Sequence, residues 1–410
     1  MYVRVGIIGA GIGGLTLAQA LCIQNIEVVV FDRDPFPAKT GGYRLHLSEE
    51  ALKSIRKGLQ ARIEQALRMS GTGPESFKQF SILDHHGKTK LRFRQTDEED
   101  LLMIGRVPLR KILAVDLENI IRWGTQFTHY EEIDSGVLLH FSNVQSEKVD
   151  ILVGADGVHS AVARKLLGSE TAKSAGVTGI AGKTILTNRF RSTLYKDLFK
   201  GPGFAVGPRG IGMFLTVHDP NHLAVENEFV KSLDIIEQPY IIWSVAALNE
   251  SFRTDPKVLN SDQLEEESCK LLKNWDQGFH DLIKCSVKEG TASFQFWFPN
   301  NLSSWEHNKI TLIGDAVHPM PPTSGLGAST AIIDAVNLAE KLTQNIDSAA
   351  ALQAYQEEML KYAPKAVAEA RPPLFWQRRF TNELMRKFAM SIFLPAINNV
   401  LKIKEQLRNN

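Results

Sequence analysis

Apolar positions change their period several times along this chain, and each change marks an element. Residues 3 to 8 (VRVGII) are a short β-rich run, and residues 12 to 24 place Leu15, Leu17, Ala18, Leu21 and Cys22 on a helical face. Residues 26 to 31 (IEVVVF) are apolar again. Strand, helix, strand in that order predicts a parallel pair with the helix as its crossover. Residues 48 to 69 read as a helix capped by Ser48, with Glu49 and Glu50 in its first turn. A hairpin turn at His86-Gly87 separates two extended runs in SILDHHGKTKLRFR, and KVDILVGADG echoes the earlier strand EVVVF.

From about 175 to 300 the period is mostly two. GIGMFLTVHD (210 to 219) and YIIWSVAAL (240 to 248) read as strands of a separate, mostly antiparallel sheet, with a helix over 261 to 274. KITLIGDAVH returns to a buried strand, and 329 to 345 is helical, so a late segment completes the first domain. The expected fold class is α/β: a Rossmann-like parallel sheet, an inserted antiparallel sheet domain and a C-terminal helical segment. The predicted division is 1–75, 105–174 and 305–345 for the first domain, 76–104 and 175–304 for the second, and 346–410 for the helical region. That last region is helical on both sides of Pro395 and mixes Phe, Leu and Met with Arg and Lys. It predicts a helix packed on the body with a basic outer face, the alternative being a membrane-surface or lid role.

Composition narrows the classes. With 410 residues, 43% of them hydrophobic, the chain can bury two cores. A formal net charge of +1 gives no overall attraction for nucleic acid or acidic membranes, so no nucleic-acid partner is expected. Cys22, Cys269 and Cys285 have neither CxxC nor metal-ligand spacing, so no metal is expected and a reducing cytoplasm fits. The apolar N-terminus carries a glycine code in place of a cleavage site, which predicts a first strand and not a signal peptide. No run of about 18 or more apolar residues suggests a membrane span.

Four constellations carry chemistry. In GIIGAGIGGLTLA, Gly9, Gly11 and Gly14 have the G-x-G-x-x-G spacing between a strand and a helix, where a diphosphate can lie against the helix N-terminus. Asp32, at the end of the second strand, is placed to accept from ribose hydroxyls, which favours FAD or NAD over NADP. VDILVGADGVHSAVAR puts Asp156-Gly157 between a strand and a helix, where Asp156 is either a cap or a ligand-binding acid. In LIGDAVHPMPPTSGLGAS, Gly314-Asp315 ends a strand and Gly325-x-Gly327 begins a helix, whose free NH groups could hold an electron-rich ring edge. Arg33, Arg44 and Arg106 form the fourth group; Arg106 closes an apolar run before a helix starting near Pro108 and can reach back toward a cofactor. GPGFAVGPRGIG (201 to 212) is glycine-rich but follows no clear strand, and reads as a loop.

With these three glycine-acid stretches in order, the sequence resembles the single-component, class A FAD-dependent aromatic hydroxylases typified by p-hydroxybenzoate hydroxylase, over roughly residues 3 to 345. The resemblance implies that the first domain binds FAD: Gly9, Gly11 and Gly14 at the diphosphate, Asp32 at the adenosine ribose, Asp156-Gly157 as the DG motif tied to FAD and NAD(P)H, and Gly314-Asp315 as the GD motif. It also implies FAD contacts from Arg44 and Arg106, and from the segment Gly325, Leu326, Gly327 and Ala328. The chain departs from the family pattern at Gly325-Leu326-Gly327-Ala328-Ser329, where Gln and Asn are usual. It departs again at Ala163, where the usual Arg falls one place late at Arg164.

The implied activity is an NAD(P)H- and O2-dependent monooxygenase that hydroxylates an aromatic or polycyclic small molecule through a flavin C4a-hydroperoxide. The chemistry then lies on the cofactor, and no Ser-His-Asp triad, HExxH motif or carboxylate pair is needed. The nicotinamide is expected as a transient visitor, because only one strand-linked GxGxxG is evident. The resemblance implies a pocket under the second sheet edged by Pro322, with Phe214, Trp243, Phe296 and His46 as candidate lining residues. His85 and His86 read as solvated turn residues. Alternatives are a halogenase or isoprenoid reductase of the same fold, the former opposed by the lack of W-x-W-x-I-P. An antibiotic-inactivating enzyme acting on tetracycline-like substrates, and a flavin-free binding protein, are the others.

Overall fold

The computed structural model describes residues 3–39, 42–95, 99–220, 227–344 and 347–408. At its centre lies a five-stranded sheet in the order Ile310–Leu312, Ile151–Gly154, Arg4–Ile8, Glu27–Phe31, Ile121–Arg122. Every pairing in it is parallel. Continuous apolar runs such as EVVVF and ILVG fit a sheet covered on both faces. The helices Ile12–Ile23 and Gly327–Gln344 pack on one face. On the other lies an antiparallel meander, Phe127–Ile133, Gly136–Phe141 and Glu147–Val149. The meander comes so close that a Cβ added at Gly6 would stand 2.8 Å from Val149 Cγ1.

The second sheet has seven strands, ordered Ala292–Pro299, Ala172–Ile185, Tyr240–Leu248, Gly212–His218, Gly203–Val206, Gln79–Asp84, Thr89–Arg94. All its pairings are antiparallel except that of Gly203–Val206 with Gln79–Asp84. One face buries a second core with the helices Ser261–Leu271 and Gln277–Lys284. The opposite face looks toward the first sheet and is tied to the segment around Arg44–Leu47. There the Arg44 guanidinium donates to Thr216 Oγ1 and the Val217 carbonyl, and the Tyr43 hydroxyl to the carbonyls of Ala181 and Gly290.

Several expectations need correction. The helix read over 48 to 69 is two, Glu49–Gly58 and Ala61–Met69, although Ser48 does cap the first. Gly58 ends it at a close crossing with Gly327–Gln344, where a Cβ would meet Val336 Cγ1 at 2.7 Å. The loop read over 201 to 212 contains a true strand, Gly203–Val206, whose three side chains Phe-Ala-Val were too few to show a period. It joins the next strand through a turn in which Arg209 takes φ +60°. The helix near Pro108 starts at Arg106, the helix over 261 to 274 runs Ser261–Leu271, and the helix over 329 to 345 starts at Gly327. Its predicted last residue, 345, lies outside the described residues.

His85 is half-buried against Trp275, not solvated, while His86 is exposed. The C-terminal helices run Ser348–Glu369, Arg371–Arg379, Glu383–Phe388 and Leu394–Arg408, the last two joined by a π turn at Ala389–Phe393. Helical backbone continues through Pro395. Their outer face is not simply basic, because large apolar side chains share it.

Strand alternation also decides the fate of the aromatic candidates. Trp243 is fully buried in the helix-covered core, its Nε1 donating to Ser286 Oγ at 2.9 Å, so it is not a pocket residue. Phe214 is half-buried on the opposite face, paired with Ser244. Truncation of a large buried aromatic costs about 3–5 kcal/mol, so Trp243→Ala is expected to lower stability by that amount in urea unfolding and Phe214→Ala by less than half as much.

Candidate functional site

The three strands that end at Ile8, Gly154 and Leu312 stop side by side, and the turns beyond them form the floor of the site. Gly9 takes φ +107°, and a Cβ there would lie 2.3 Å from the Ala155 carbonyl oxygen of the neighbouring turn. A Cβ at Gly14 would lie 1.9 Å from the Gly9 carbonyl oxygen. These two glycines are required by the protein's own backbone. Gly11 is different, since nothing stands within 4 Å of where its Cβ would be. It opens the helix Ile12–Ile23 with no side-chain cap, so first-turn amides face open space, which is the arrangement an anion can occupy.

Asp32 follows the strand Glu27–Phe31 and is nearly buried. Its Oδ2 accepts from the Ala10 amide at 2.5 Å and its Oδ1 from the Asp34 amide at 2.8 Å. Arg110 completes this corner: Nε donates to the Ala10 carbonyl at 2.8 Å, Nη1 to Asp34 at 2.7 Å, and Nη2 to Asp32 at 3.1 Å. The guanidinium also stacks 5.2 Å from the Trp123 ring centroid. Asp32 thus fixes the glycine turn through protein contacts, beside any sugar hydroxyl it would accept from. Arg33 projects outward next to it. Sequence reasoning missed Arg110, although its position four residues after Arg106, on the same face of Arg106–Leu113, was a usable signal.

At the second turn, Asp156 is turned inward. Its carboxylate accepts from the Ser160 hydroxyl and from the amides of Ala161 at 2.8 Å and Val162 at 3.4 Å, and burial holds its pKa above the usual carboxylate range despite these donors. Asp156 thus caps the start of the following helix, with Ser160 as a second cap on Ala163. Gly157 takes φ +81° with nothing within 4 Å of its Cβ position, so the open side of this turn is backbone.

The third turn rests on a buried polar group. Gly314 takes φ +61°, and its amide donates to Asp334 Oδ2 at 2.8 Å. The same oxygen pairs with His318 Nε2 at 2.6 Å, and Oδ1 accepts from the Tyr362 hydroxyl at 2.6 Å. His318 and Asp334 have no exposed surface. Burial opposes a charge on His318, but the Asp334 carboxylate outweighs it and raises the imidazole pKa above 6.5. None of these three partners carried a sequence signal, since they lie on separate elements.

Asp315 is exposed by surface area yet enclosed by protein, the condition of a residue on the floor of a deep cleft. Enclosure raises its pKa, while His318 and Arg106 oppose the rise. The Arg106 side chain passes 3.4 Å from the Gly42 Cβ position, and its Nε is buried without a hydrogen-bond partner among the described residues. A Cβ at Gly327 would stand 4.0 Å from Asp315 Oδ1. Gly325 takes φ +72° beside the His46 ring, and the first-turn amides of Gly327–Gln344, which include Gly327 and Ala328, have no partner within their own helix. Leu326 anchors that first turn by accepting from Thr330 N at 2.9 Å. A strip of unsatisfied donors and one acceptor thus runs from Gly11 past Arg106 and Asp315 to Gly327.

The remaining candidates divide. Burial and then Arg44 lower the His46 pKa to about 4, so its imidazole is neutral at physiological pH. Arg44 is held by the covering sheet and lies in the seam between the two sheets, its own pKa brought down to about 10 by burial. Phe214, Phe294 and Phe296 share the cleft-facing side of that sheet by register, Phe294 and Phe296 stacking at 5.6 Å, but Phe296 is buried against Leu374. Pro322 is exposed, and its carbonyl accepts from Gly325 N at 3.2 Å, closing the turn. On the meander's outer face His129, Glu131 and His140 cluster, the two imidazoles stacked within 9° of parallel and each Nε2 within 4 Å of the Glu131 carboxylate.

Residues 2–211 and 298–370, more than half of the chain, match a family model described as FAD binding domain. The chain is 27% identical over 372 residues to a dual O-methyltransferase/FAD-dependent monooxygenase of Cercospora beticola, covering 83% of this chain and 42% of that protein. It therefore spans about two fifths of the length of that relative. It is 28% identical over 362 residues to a 3-amino-4-hydroxybenzoate 2-monooxygenase of Streptomyces platensis, covering 86% of this chain and 83% of that one. Among solved structures, one from Photorhabdus luminescens subsp. laumondii TTO1, described as an FAD-containing monooxygenase, superposes with a TM-score of 0.76 at 26% identity. That match covers 93% of this chain and 98% of the other.

Removing Asp334 leaves the buried Gly314 amide and the His318 imidazole without their acceptor, takes one acceptor from the Tyr362 hydroxyl, and removes the carboxylate that favours the charged imidazole. Asp334→Ala is expected to cost about 3–5 kcal/mol in urea unfolding, the range for breaking a buried pair. Because folding raises the His318 pKa, that pair's stability is fully present below about pH 6.5 and is lost as pH rises through the folded value. In His318→Asn this alkaline loss should be absent from the series of unfolding midpoints against pH.

Proposed function

The chain belongs to the FAD binding domain family, and from that premise we propose that it is a monooxygenase that uses NAD(P)H and O2 to hydroxylate a small aromatic substrate over bound FAD. The observation that carries this reading is the strip of unsatisfied polar groups from Gly11 through Arg106 and Asp315 to Gly327, lying under a sheet face that presents Phe214 and Phe294. When bound, FAD supplies the redox chemistry, accepting a hydride from NAD(P)H and activating O2 for transfer of one oxygen atom to an electron-rich ring.

The chain's own residues bind, orient and exclude water. The open amides after Gly11 would hold the diphosphate, and the Asp32-Arg110 corner keeps that turn from shifting. Arg106 would spend its unpaired Nε on the cofactor, with Asp315 accepting from a sugar-alcohol hydroxyl beside it. The amides of Gly327 and Ala328 would receive partial negative charge at the edge of a ring. These contacts come from backbone and from residues present here, so the family's missing Gln and Asn side chains do not empty the site. Above them, Phe214 and Phe294 give an apolar wall suited to an aromatic substrate, and neutral His46 adds a hydrogen-bonding group without a charge.

The first experiment is a visible spectrum of the purified protein, then NADPH or NADH oxidation in air with and without a panel of phenols and hydroxybenzoates. Flavin bands, and cofactor oxidation accelerated by one aromatic with matching hydroxylated product, are expected. A colourless protein that FAD cannot reconstitute would overturn the assignment. Arg106→Ala and Asp315→Ala should each raise the FAD dissociation constant by about 10- to 100-fold, the equivalent of one charged hydrogen bond. Titration of the apoprotein with FAD reads this directly.

A further inference from the structure

The helical segment 383–407 packs on the body the wrong way round for a soluble surface helix. Its inward row is Arg386, Met390, Leu394 and Asn398, spaced four residues apart. Arg386, Met390 and Asn398 are buried, Leu394 joins a small core with Val206 and Phe380, and Asn398 Oδ1 accepts from the Arg92 amide at 3.1 Å. The row two residues out of step, Leu384, Phe388 and Ile392, lies on the opposite side, because two residues turn a helix by about 200°. All three are exposed, Leu384 at 80%. The row continues through Val400, Ile403 and Leu407, with Leu407 at 73% exposed. Helices of soluble proteins bury such a stripe, and here it is displayed.

Charge identifies what covers it. Residues 371–410 hold eight Lys and Arg against two Asp and Glu, so the other residues of this nearly neutral chain are net acidic. Lys387 and Lys404 are exposed beside the apolar row, and Lys402, also exposed, continues the inward row one step past Asn398. Apolar side chains facing outward with lysines on their flanks match a helix that lies in a lipid interface and is drawn there by anionic headgroups. A second copy of this chain would bring two like-charged strips together, which opposes self-association through this face.

We propose that the C-terminal helical face, centred on Leu384, Phe388, Ile403 and Leu407, docks the protein on an anionic phospholipid surface without spanning it. No described helix is long and apolar enough to cross a membrane. The inference is independent of the reaction catalysed, because it rests on no residue of the cleft.

The test is flotation of the full chain, loaded with FAD, with vesicles of phosphatidylcholine alone or mixed with phosphatidylglycerol. The protein is expected to float with the anionic vesicles, less so as salt is raised, and to stay behind with the neutral ones. Leu384→Ser/Leu407→Ser and Lys387→Glu/Lys404→Glu should each reduce flotation by roughly tenfold while flavin content and unfolding midpoint stay unchanged. Failure of the wild-type protein to float, or equal binding to neutral vesicles, overturns the proposal. So does sedimentation as a dimer that the same serine substitutions dissociate, which would assign the face to self-association.

Discussion

Three parallel strands finish side by side at Ile8, Gly154 and Leu312, and there is no room for side chains where the turns beyond them cross. A Cβ at Gly9 would overlap the Ala155 carbonyl, and one at Gly154 would stand 2.8 Å from Leu312 Cδ2. This crowding excludes larger residues from the crossing itself and leaves the space just outside it bordered by bare backbone. Backbone amides are small, fixed donors that cost little to keep oriented, so a crowded crossing and a polar cradle are two sides of one constraint. Gly11 and Gly157, with open space beside them, show where the crowding ends and the site begins.

The turns are then locked by buried charge. Asp32 and Asp34 with Arg110 hold the first, and Asp334 with His318 and Tyr362 holds the third. In each case several donors converge on one carboxylate, which is how a charged group survives removal from water. The two clusters differ in what they leave over. Around Arg110 the described hydrogen bonds are made within the protein, whereas Arg106 keeps a buried nitrogen without a partner and Asp315 faces the cleft. An unsatisfied buried group costs free energy, and a bound ligand that pairs with it recovers that cost.

The covering sheet contributes by alternation. Its strand Tyr240–Leu248 sends Trp243 into the helix-covered core and Ser244 toward the cleft, and the adjacent strand sends Phe214 the same way as Ser244. One residue of register separates a structural aromatic from a candidate substrate contact. The C-terminal helices follow a related logic on the outside, where an offset of two residues separates the row that docks on the body from the row left bare.

How much of this was written in the chain depends on the range of each interaction. Local pattern alone placed the glycine cradle, the two sheets, the Ser48 cap and the strand-end acids, because spacing of a few residues carries their chemistry. Composition and period also separated the parallel runs from the alternating ones. Tertiary structure decided the rest: that Asp156 caps its own helix, that Trp243 faces away from the cleft, that Gly203–Val206 joins the sheet, and that Asp334 reaches Gly314. It also decided which C-terminal row is buried. Those outcomes depend on which face of an element meets a partner distant in sequence, and a one-dimensional pattern specifies the face but not the partner.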